Sequence, residues 1–485
     1  MSAAQNGAER PKQSKDDPEG PFFEADRLAE WTKGQWLRGI RPSGIEGFHF
    51  DTRVLEPGGC FLAVRGEDRD GHEFLPQAAA AGAAAAIVER GQPDLGLPQL
   101  VVPDTLVAMA AIGRAVRDAF PGPVVGITGS CGKTSTREIL KHLLDADRTH
   151  ANPENWNNRI GAPMTLFGLD PDRFSFGVME AGINQPGEME ALGAAIHADH
   201  VLLTHIGPAH LEALGSEEKV AEEKMQLLRH ASANASLFAP AALLRYSAVR
   251  ACAARAIFLA EAGEEIPAAD AARIVRYRLE RVDEENKWDL WLEDDAKESF
   301  PLYTASRGIA RNAALALVVA RELGVPEAEL VERLAACRPS ERRGEIIRHE
   351  GRFFYIDCYN ANPASMRDAL DAFERSAPAG APRCYVIGAM DELGDSAEPW
   401  HREVTAEMAA RPDDWLLAVG PRHLTTAYLE GARQAGFAEE RLAAGESVER
   451  FHALVRNFEG AVFLKGSRSY ALEKLLSHFK SEPQG

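Results

Sequence analysis

Lys133 and Thr134 stand at the end of a glycine-rich turn in VVGITGSCGKTST, residues 124–136. The apolar run before the turn reads as a buried parallel strand. The residues after it place Ile139, Leu140, Leu143 and Leu144 at helical spacing. Strand, glycine turn, Lys-Thr and helix together describe a cradle for phosphate. Gly129 and Gly132 let backbone N–H groups turn inward toward an anion, with Ser130, Cys131 and Ser135 lining the same loop. Lys133 reaches the outer phosphates, and the Thr134 hydroxyl holds a magnesium ion. The spacing departs from the strict Walker pattern, since Ile127 occupies the place of its first glycine. A plain strand-to-helix turn can carry the same letters; the placement between strand and helix favours nucleotide binding.

Further groups fall where strands are expected to end. Glu180 closes the strand-like run 174–180, and His210 follows the next one, 199–204, in LLTHIGPAHLEALGS. In open α/β sheets ligands bind beyond the carboxyl ends of the strands. There a carboxylate can hold the magnesium that bridges nucleotide phosphates. An imidazole can bind that metal or orient a substrate. A solvated strand-end acid and a helix-capping histidine would read the same way. His205 sits at the strand end itself and is the weaker candidate. Lys224, in EEKMQLL, reads from spacing alone as a solvated lysine on a helix face. Downstream, IDCYNANPASM (356–366) sets Asp357, Tyr359, Asn360 and Asn362 directly after another strand, with Pro363 placed to begin a helix. A turn would use the same residues. GAMDELG (388–394) and LKGSRS (464–469) follow two later strands, and Lys465 and Ser467 could grip an anionic group.

These groups need several sheets to position them. A chain of 485 residues exceeds a single core. Residues 1–25 read as a disordered tail, and 26–120 as a first α/β domain with strands at 59–64 and 83–88 and a helix near 73–82. Pro121 to Pro123 mark a linker. Residues 121–337 read as a second α/β domain opened by the phosphate loop, with helices near 133–146, 187–197, 217–230, 308–323 and 327–336. Residues 338–485 read as a third, Rossmann-like unit, with strands at 353–357, 383–388, 415–419 and 461–464, yet without GxGxxG. The fold class is therefore α/β, with a central P-loop parallel-sheet domain. A net charge of −19 argues against nucleic acid and against an anionic membrane surface. No apolar run reaches the length of a membrane span. Six scattered cysteines without a CxxC argue against a disulfide framework or zinc site and for a reduced, cytoplasmic protein.

With these residues in place, positions 45–480 resemble the Mur ligases, which form amide bonds at the expense of ATP in building peptidoglycan precursors. The phosphate loop resembles the family's TGxxGKT. NPENWNNRIGAP (152–163), MEAGINQPGEM (179–189) and IGPAHLEALGS (206–216) resemble its central-domain motifs. YNANP, GAMDELG and the final KGS resemble the member that adds D-alanyl-D-alanine to UDP-N-acetylmuramoyl-tripeptide. The DNPR motif of the diamino-acid-adding relative is absent.

The resemblance implies a three-domain architecture and a role for each group. Thr52, Arg53 and Arg65 would face the uridine end of the UDP-linked precursor, and Asn157, Asn158, Asn362, Lys465 and Ser467 would contact substrate. ATP would be held by residues 129–135 with Asn312, Arg343, Asp357, Tyr359 and Asn360. Thr134, Glu180 and His210 would hold magnesium. Lys133, His210 and Lys224 would be the catalytic groups, Lys224 as a carbamate that behaves as a carboxylate. The implied partners are the two substrates, acting on a monomer. Another Mur-type ligase, diamino-acid-adding or folylpolyglutamate-type, and a weakly active ATP-binding scaffold stand as alternatives. Three positions depart from the family pattern: Gly308 for His, His205 for Asn, and Ile356-Asp357 for a double Asp.

Overall fold

The computed structural model describes residues 23–66, 68–267, 272–282, 286–293 and 299–476, together with the backbone of Ala8–Glu9. The expected tail thus lies largely outside the described residues; within it, Ala8–Glu9 pairs antiparallel with Gly47–His49. The chain gathers into two compact units. One comprises Met1–Thr128, Leu144–Leu202 and Glu223–Leu237; the other Gly129–Leu143, Leu203–Glu222 and Phe238–Gly485.

The first unit opens with a six-stranded sheet. Its centre is parallel: Gly47–His49, Cys60–Leu62, Ala85–Val88 and Gln99–Val101 pair in that order. Cys60–Leu62 and Ala85–Val88 are buried at every position, as unbroken apolar runs require when both faces of a parallel sheet are covered. The long helix Thr105–Ala119 starts at Asp104, whose side chain accepts from the backbone N–H of Val107 at 2.9 Å. Beyond the linker, Val124–Thr128 is buried throughout and pairs parallel with Phe176–Glu180, which pairs with Thr149–Ala151. Ile127 and Glu180 are register partners, so Glu180 ends its own strand beside the end of Val124–Thr128.

In the second unit the helix Lys133–Leu143 buries Ile139, Leu140 and Leu143 and packs on Arg307–Glu322. Ala256–Glu261 pairs parallel with Arg273–Arg281, followed by an antiparallel meander through Lys287–Leu292 and Phe300–Tyr303. The last sheet runs Glu345–His349, Arg352–Asp357, Ala461–Lys465, Arg383–Gly388, Trp415–Val419, Leu442–Gly445. All but the first strand are parallel. Alternation along Phe353–Ile356 divides its core. Phe353 and Tyr355 join Phe373, Tyr385 and Phe463 on one face, while Phe354 and Ile356 join Val386, Leu417 and Val462 on the other. Because Ala461–Lys465 inserts between Arg352–Asp357 and Arg383–Gly388, three loops leave one edge of the sheet side by side: YNANP, GAMDELG and KGS.

One expected element is interrupted. In place of a helix over 217–230, the chain forms Glu217–Lys224 and Gln226–Arg229, parted at Met225.

Candidate active site

The phosphate loop is shaped by glycine. Gly129 has φ 155° and Gly132 φ 80°. A Cβ on Gly129 would lie 2.0 Å from Thr204 Oγ1, and one on Gly132 would lie 2.3 Å from Asn312 Nδ2. No other residue fits either position. The loop is tied down from below. Thr204 Oγ1 donates to the Cys131 carbonyl at 2.5 Å, and Ser130 N–H donates to the His205 carbonyl at 2.8 Å. The Lys133 ammonium donates to the Gly129 carbonyl at 2.8 Å, so it lies along the loop it is expected to serve. Lys133, Thr134 and Asn312 are thus gathered in one place.

In the first unit, Glu180 is buried, and Asn157 donates its amide to Glu180 Oε1 at 2.6 Å. Asn152 grips the same strand end, its Oδ1 accepting from Glu180 N–H at 2.6 Å. The segment 152–163 therefore folds around the carboxylate and orients it. Asn157, expected at substrate, has its amide on Glu180. Asn158 Oδ1 accepts from the N–H groups of Ile160 and Gly161 at the start of Gly161–Leu166. Both observations point to shaping this loop.

At the rim of the last sheet, Lys465 and Ser467 both have partners within the protein. Lys465 is 1% exposed, and its ammonium donates to Asp357 Oδ2 at 2.8 Å and to the Asn360 carbonyl at 3.0 Å. It anchors the YNANP loop, as a charge at that depth must be paired. Ser467 Oγ accepts from Asp391 N–H at 3.1 Å and so ties KGS to GAMDELG. The two loops touch through glycine: a Cβ on Gly466 would lie 2.6 Å from Gly388 Cα. Asn362 caps the helix Pro363–Ser376 in a full capping box, with Pro363 in its first turn as expected. The Tyr359 ring has the Arg343 guanidinium 4.0 Å from its centroid and that of Arg468 at 5.1 Å. This cationic, aromatic pair of surfaces suits a nucleotide. Arg468 lies in the LKGSRS loop, where the sequence reading named only Lys465 and Ser467.

His210 has φ 55°, and its Nδ1 stands 2.5 Å from Glu392 Oε2, in the GAMDELG loop. Contact with the imidazole holds the Glu392 carboxyl below the usual carboxylate range. The Gly308 departure has a physical cause. Asp368 accepts from Gly308 N–H at 2.7 Å and from Ser306 Oγ at 2.5 Å, and a Cβ on Gly308 would meet Asp368 Oδ2 at 2.9 Å. The carboxylate docks on the first turn of the helix bearing Asn312 and leaves no room for a side chain. His205 is depressed in pKa by burial and by Arg245; its backbone carbonyl serves the phosphate loop.

Lys224 is 1% exposed. This corrects the reading of a solvated helix face. In the first sheet domain Arg53 clasps Asp51, lowering that carboxyl below its usual range. Arg65 lies 3.6 Å from Glu89. Thr52 is half-buried. Both arginines are largely exposed.

Residues 127–320 match the Mur ligase middle domain, and residues 342–468 match the Mur ligase glutamate ligase domain. The chain belongs to the Mur ligase family. It is 32% identical over 438 residues to a UDP-N-acetylmuramoyl-tripeptide–D-alanyl-D-alanine ligase of Synechocystis, covering 89% of this chain and 91% of that one. It superposes on the crystal structure of MurF from Acinetobacter baumannii with a TM-score of 0.81 at 28% identity, over 94% of this chain and 98% of that one. MurF from Thermotoga maritima, solved in complex with ADP, gives 0.74 at 25% identity, over 89% and 96%.

Proposed function

We propose that this protein is an ATP-dependent ligase that joins D-alanyl-D-alanine to UDP-N-acetylmuramoyl-tripeptide. The observation that carries this reading is coverage. The likeness to the Synechocystis ligase runs across nine-tenths of both chains, and the last sheet lies within the match to the Mur ligase glutamate ligase domain. We read three working domains, 26–120 for the UDP-linked precursor, 121–337 for ATP and 338–485 for the incoming dipeptide.

A carboxylate does not acylate an amine at neutral pH, because its oxygen is a poor leaving group. In the first step the precursor's terminal carboxylate attacks the γ-phosphorus of ATP, giving an acyl phosphate and ADP. In the second, the dipeptide's free amine attacks the carbonyl carbon, the amide C–N bond forms, and phosphate leaves with the electron pair of the broken C–O bond. The amine sheds a proton. Two anions meet in the first step, so charge neutralisation and positioning set the rate. The glycine-shaped loop presents N–H groups to the phosphates, Lys133 supplies a cation, and Tyr359 with its two arginines offers the nucleotide a stacking and cationic surface.

No cluster of three or more His, Cys, Asp or Glu side chains forms a metal cage among the described residues. Magnesium that arrives with a nucleotide needs none, since phosphate oxygens and water fill most of its shell. The Thr134 hydroxyl and the Glu180 carboxylate are hard oxygen donors of the kind it takes, and the His210 imidazole is proposed as a further donor. When bound, the ion would neutralise charge on the phosphates. We further propose that Lys224 carries a carbamate.

No described helix is long and apolar enough to cross a membrane, and all six cysteines are free thiols. We propose a cytoplasmic location and a monomer. The test is mass spectrometry of the product from UDP-N-acetylmuramoyl-tripeptide, ATP and D-alanyl-D-alanine. The pentapeptide precursor is expected with one ADP and one phosphate. ATP binding without dipeptide-dependent phosphate release would replace this reading with that of a scaffold.

A further inference from the structure

Gly308 and Asn312 stand four residues apart on the helix Arg307–Glu322, so they share one face of it. Asp368 fills the place that a side chain on Gly308 would take, since a Cβ there would lie 2.9 Å from Asp368 Oδ2. The carboxylate therefore lies along the face that carries Asn312. Its Oδ1 accepts from Gly308 N–H at 2.7 Å, and its Oδ2 accepts from Ser306 Oγ at 2.5 Å. Ser306 Oγ in turn accepts from Ile309 N–H at 2.9 Å. Two of the N–H groups that a helix start leaves without intrahelical partners are thus satisfied, one by Asp368 itself and one through Ser306. An anion is also favoured at this end of a helix. Burial works against the charge and raises the Asp368 carboxyl above its ordinary value, while both hydrogen bonds pull the other way. The helix that supplies Asp368, Pro363–Ser376, packs on Arg307–Glu322. It reaches the phosphate loop as well, through Asn362 and the Ser130 carbonyl. Asn312 meets the same loop at Gly132, where no Cβ fits.

We propose that Asp368 is a positioning residue for the nucleotide: it fixes the first turn of Arg307–Glu322 and so holds Asn312 against the phosphate loop. The inference rests on the reading of Asn312 as a nucleotide contact. Arg307 and Arg311 hold the same turn by their side chains, both reaching Glu261 at the end of Ala256–Glu261. Asp368 holds it by the backbone, and does so from the stretch assigned to the dipeptide. The helix Pro363–Ser376 thereby braces two nucleotide-binding elements at once, the loop through Asn362 and the Asn312 helix through Asp368.

The probe is ADP, titrated into the full-length protein and read by isothermal calorimetry. Asp368→Ala is expected to weaken ADP by about fivefold or more, the scale of coupling between residues in contact. It should also raise the KM for ATP more than the KM for either other substrate. Asp368→Asn keeps an oxygen for Gly308 N–H and is expected to lose less. Gly308→Ala reaches the same contact with Asp368 and Ser306 still present. Helix propensity alone predicts that this change stabilises the protein, yet the added Cβ displaces the carboxylate, so ADP binding is expected to weaken. In Gly308→Ala/Asp368→Ala the clash is gone, and the loss should not exceed that of Asp368→Ala. In an Asn312→Ala background, Asp368→Ala should cost nothing further. Wild-type ADP affinity in Asp368→Ala or in Gly308→Ala, beside weakened binding in Asn312→Ala, would overturn the positioning role and leave Asp368 a helix cap. A full second loss in Asn312→Ala/Asp368→Ala would do the same. Wild-type affinity in Asn312→Ala would remove the underlying reading of Asn312. ADP binding needs no dipeptide, so each of these outcomes is separate from that of the ligase assay.

Discussion

The side-chain amide of Asn362 donates to the backbone carbonyl of Ser130, inside the phosphate loop, at 3.3 Å. The same side chain accepts from Ser365 N–H at 2.9 Å and caps the helix Pro363–Ser376. One residue thus starts a helix of the last sheet region and touches the nucleotide loop.

The two roles separate by substitution. Asn362→Asp keeps the capping oxygen and loses the donor to Ser130. Its stability should stay near wild type while the KM for ATP rises. Asn362→Ala loses both, and should cost about 1 kcal/mol of stability in addition. Urea unfolding and steady-state kinetics measure the two effects. An unchanged KM in both variants would reduce Asn362 to a helix cap.

Asp357 and Lys465 form a pair at the sheet rim in which the lysine is buried. Removing one partner of a buried pair strands the other charge and costs about 3–5 kcal/mol. Asp357→Ala should therefore destabilise the protein by an amount of this order, and Asp357→Ala/Lys465→Met should recover most of it. A raised KM for ATP in Asp357→Ala alone would mix folding with binding. Asn360→Ala is the cleaner probe, because Asn360 is exposed and its side chain accepts from the neighbouring N–H of Ala361. It should raise the KM for ATP at unchanged stability.

His401 gives the GAMDELG loop a pH dependence. It is fully buried; its Nε2 accepts from Met390 N–H at 2.9 Å, and its Nδ1 faces the Ala397 carbonyl at 2.7 Å. Burial pushes its pKa down to about 4. The unfolded chain binds the proton first as pH falls, so this contribution is complete above about 6.5 and declines toward about 4, by roughly 3 kcal/mol. His401→Gln, which stays neutral, should flatten that part of the curve of unfolding free energy against pH. A curve as steep as wild type would assign the loss to other groups.

Much of this was legible because the strands are largely buried. Val124–Thr128, Phe176–Glu180 and Arg352–Asp357 are mostly apolar runs, and their ends place the phosphate loop, Glu180 and Asp357 at sheet rims. The strand Glu345–His349 was not read, although Glu350-Gly351, both at positive φ, make the tight turn that pairs it with Arg352–Asp357. Side-chain jobs were harder. Lys465, Ser467 and Asn158 have the right chemistry for ligands, yet their partners are distant in sequence or are backbone groups. Glu392 and Arg468 lie in GAMDELG and LKGSRS, runs that stood out as loops after strands, but neither side chain stood out within them, since a charged residue in a loop is ordinarily solvated. Gly308 is legible only once Asp368, 60 residues on, is seen against it.

Lys224 sets composition against position. A lysine in EEKMQLL reads as solvated, and removal of such a residue changes stability by no more than about 0.5 kcal/mol. At 1% exposure it instead sits at the break between Glu217–Lys224 and Gln226–Arg229. Burying an ammonium is costly unless it is paired or converted to another group. A carbamate, formed by its neutral amine with CO₂, would replace the cation with a carboxylate-like anion suited to ordering magnesium. Lys224→Ala should then be nearly inactive at saturating ATP, and short carboxylic acids should restore part of the activity by filling the gap with an anion. Intact-mass spectrometry under CO₂-preserving conditions should show 44 Da on the wild type and none on the variant, as the mass of one CO₂ requires. Near-wild-type turnover in Lys224→Ala would sink the carbamate and leave the ligase reading standing.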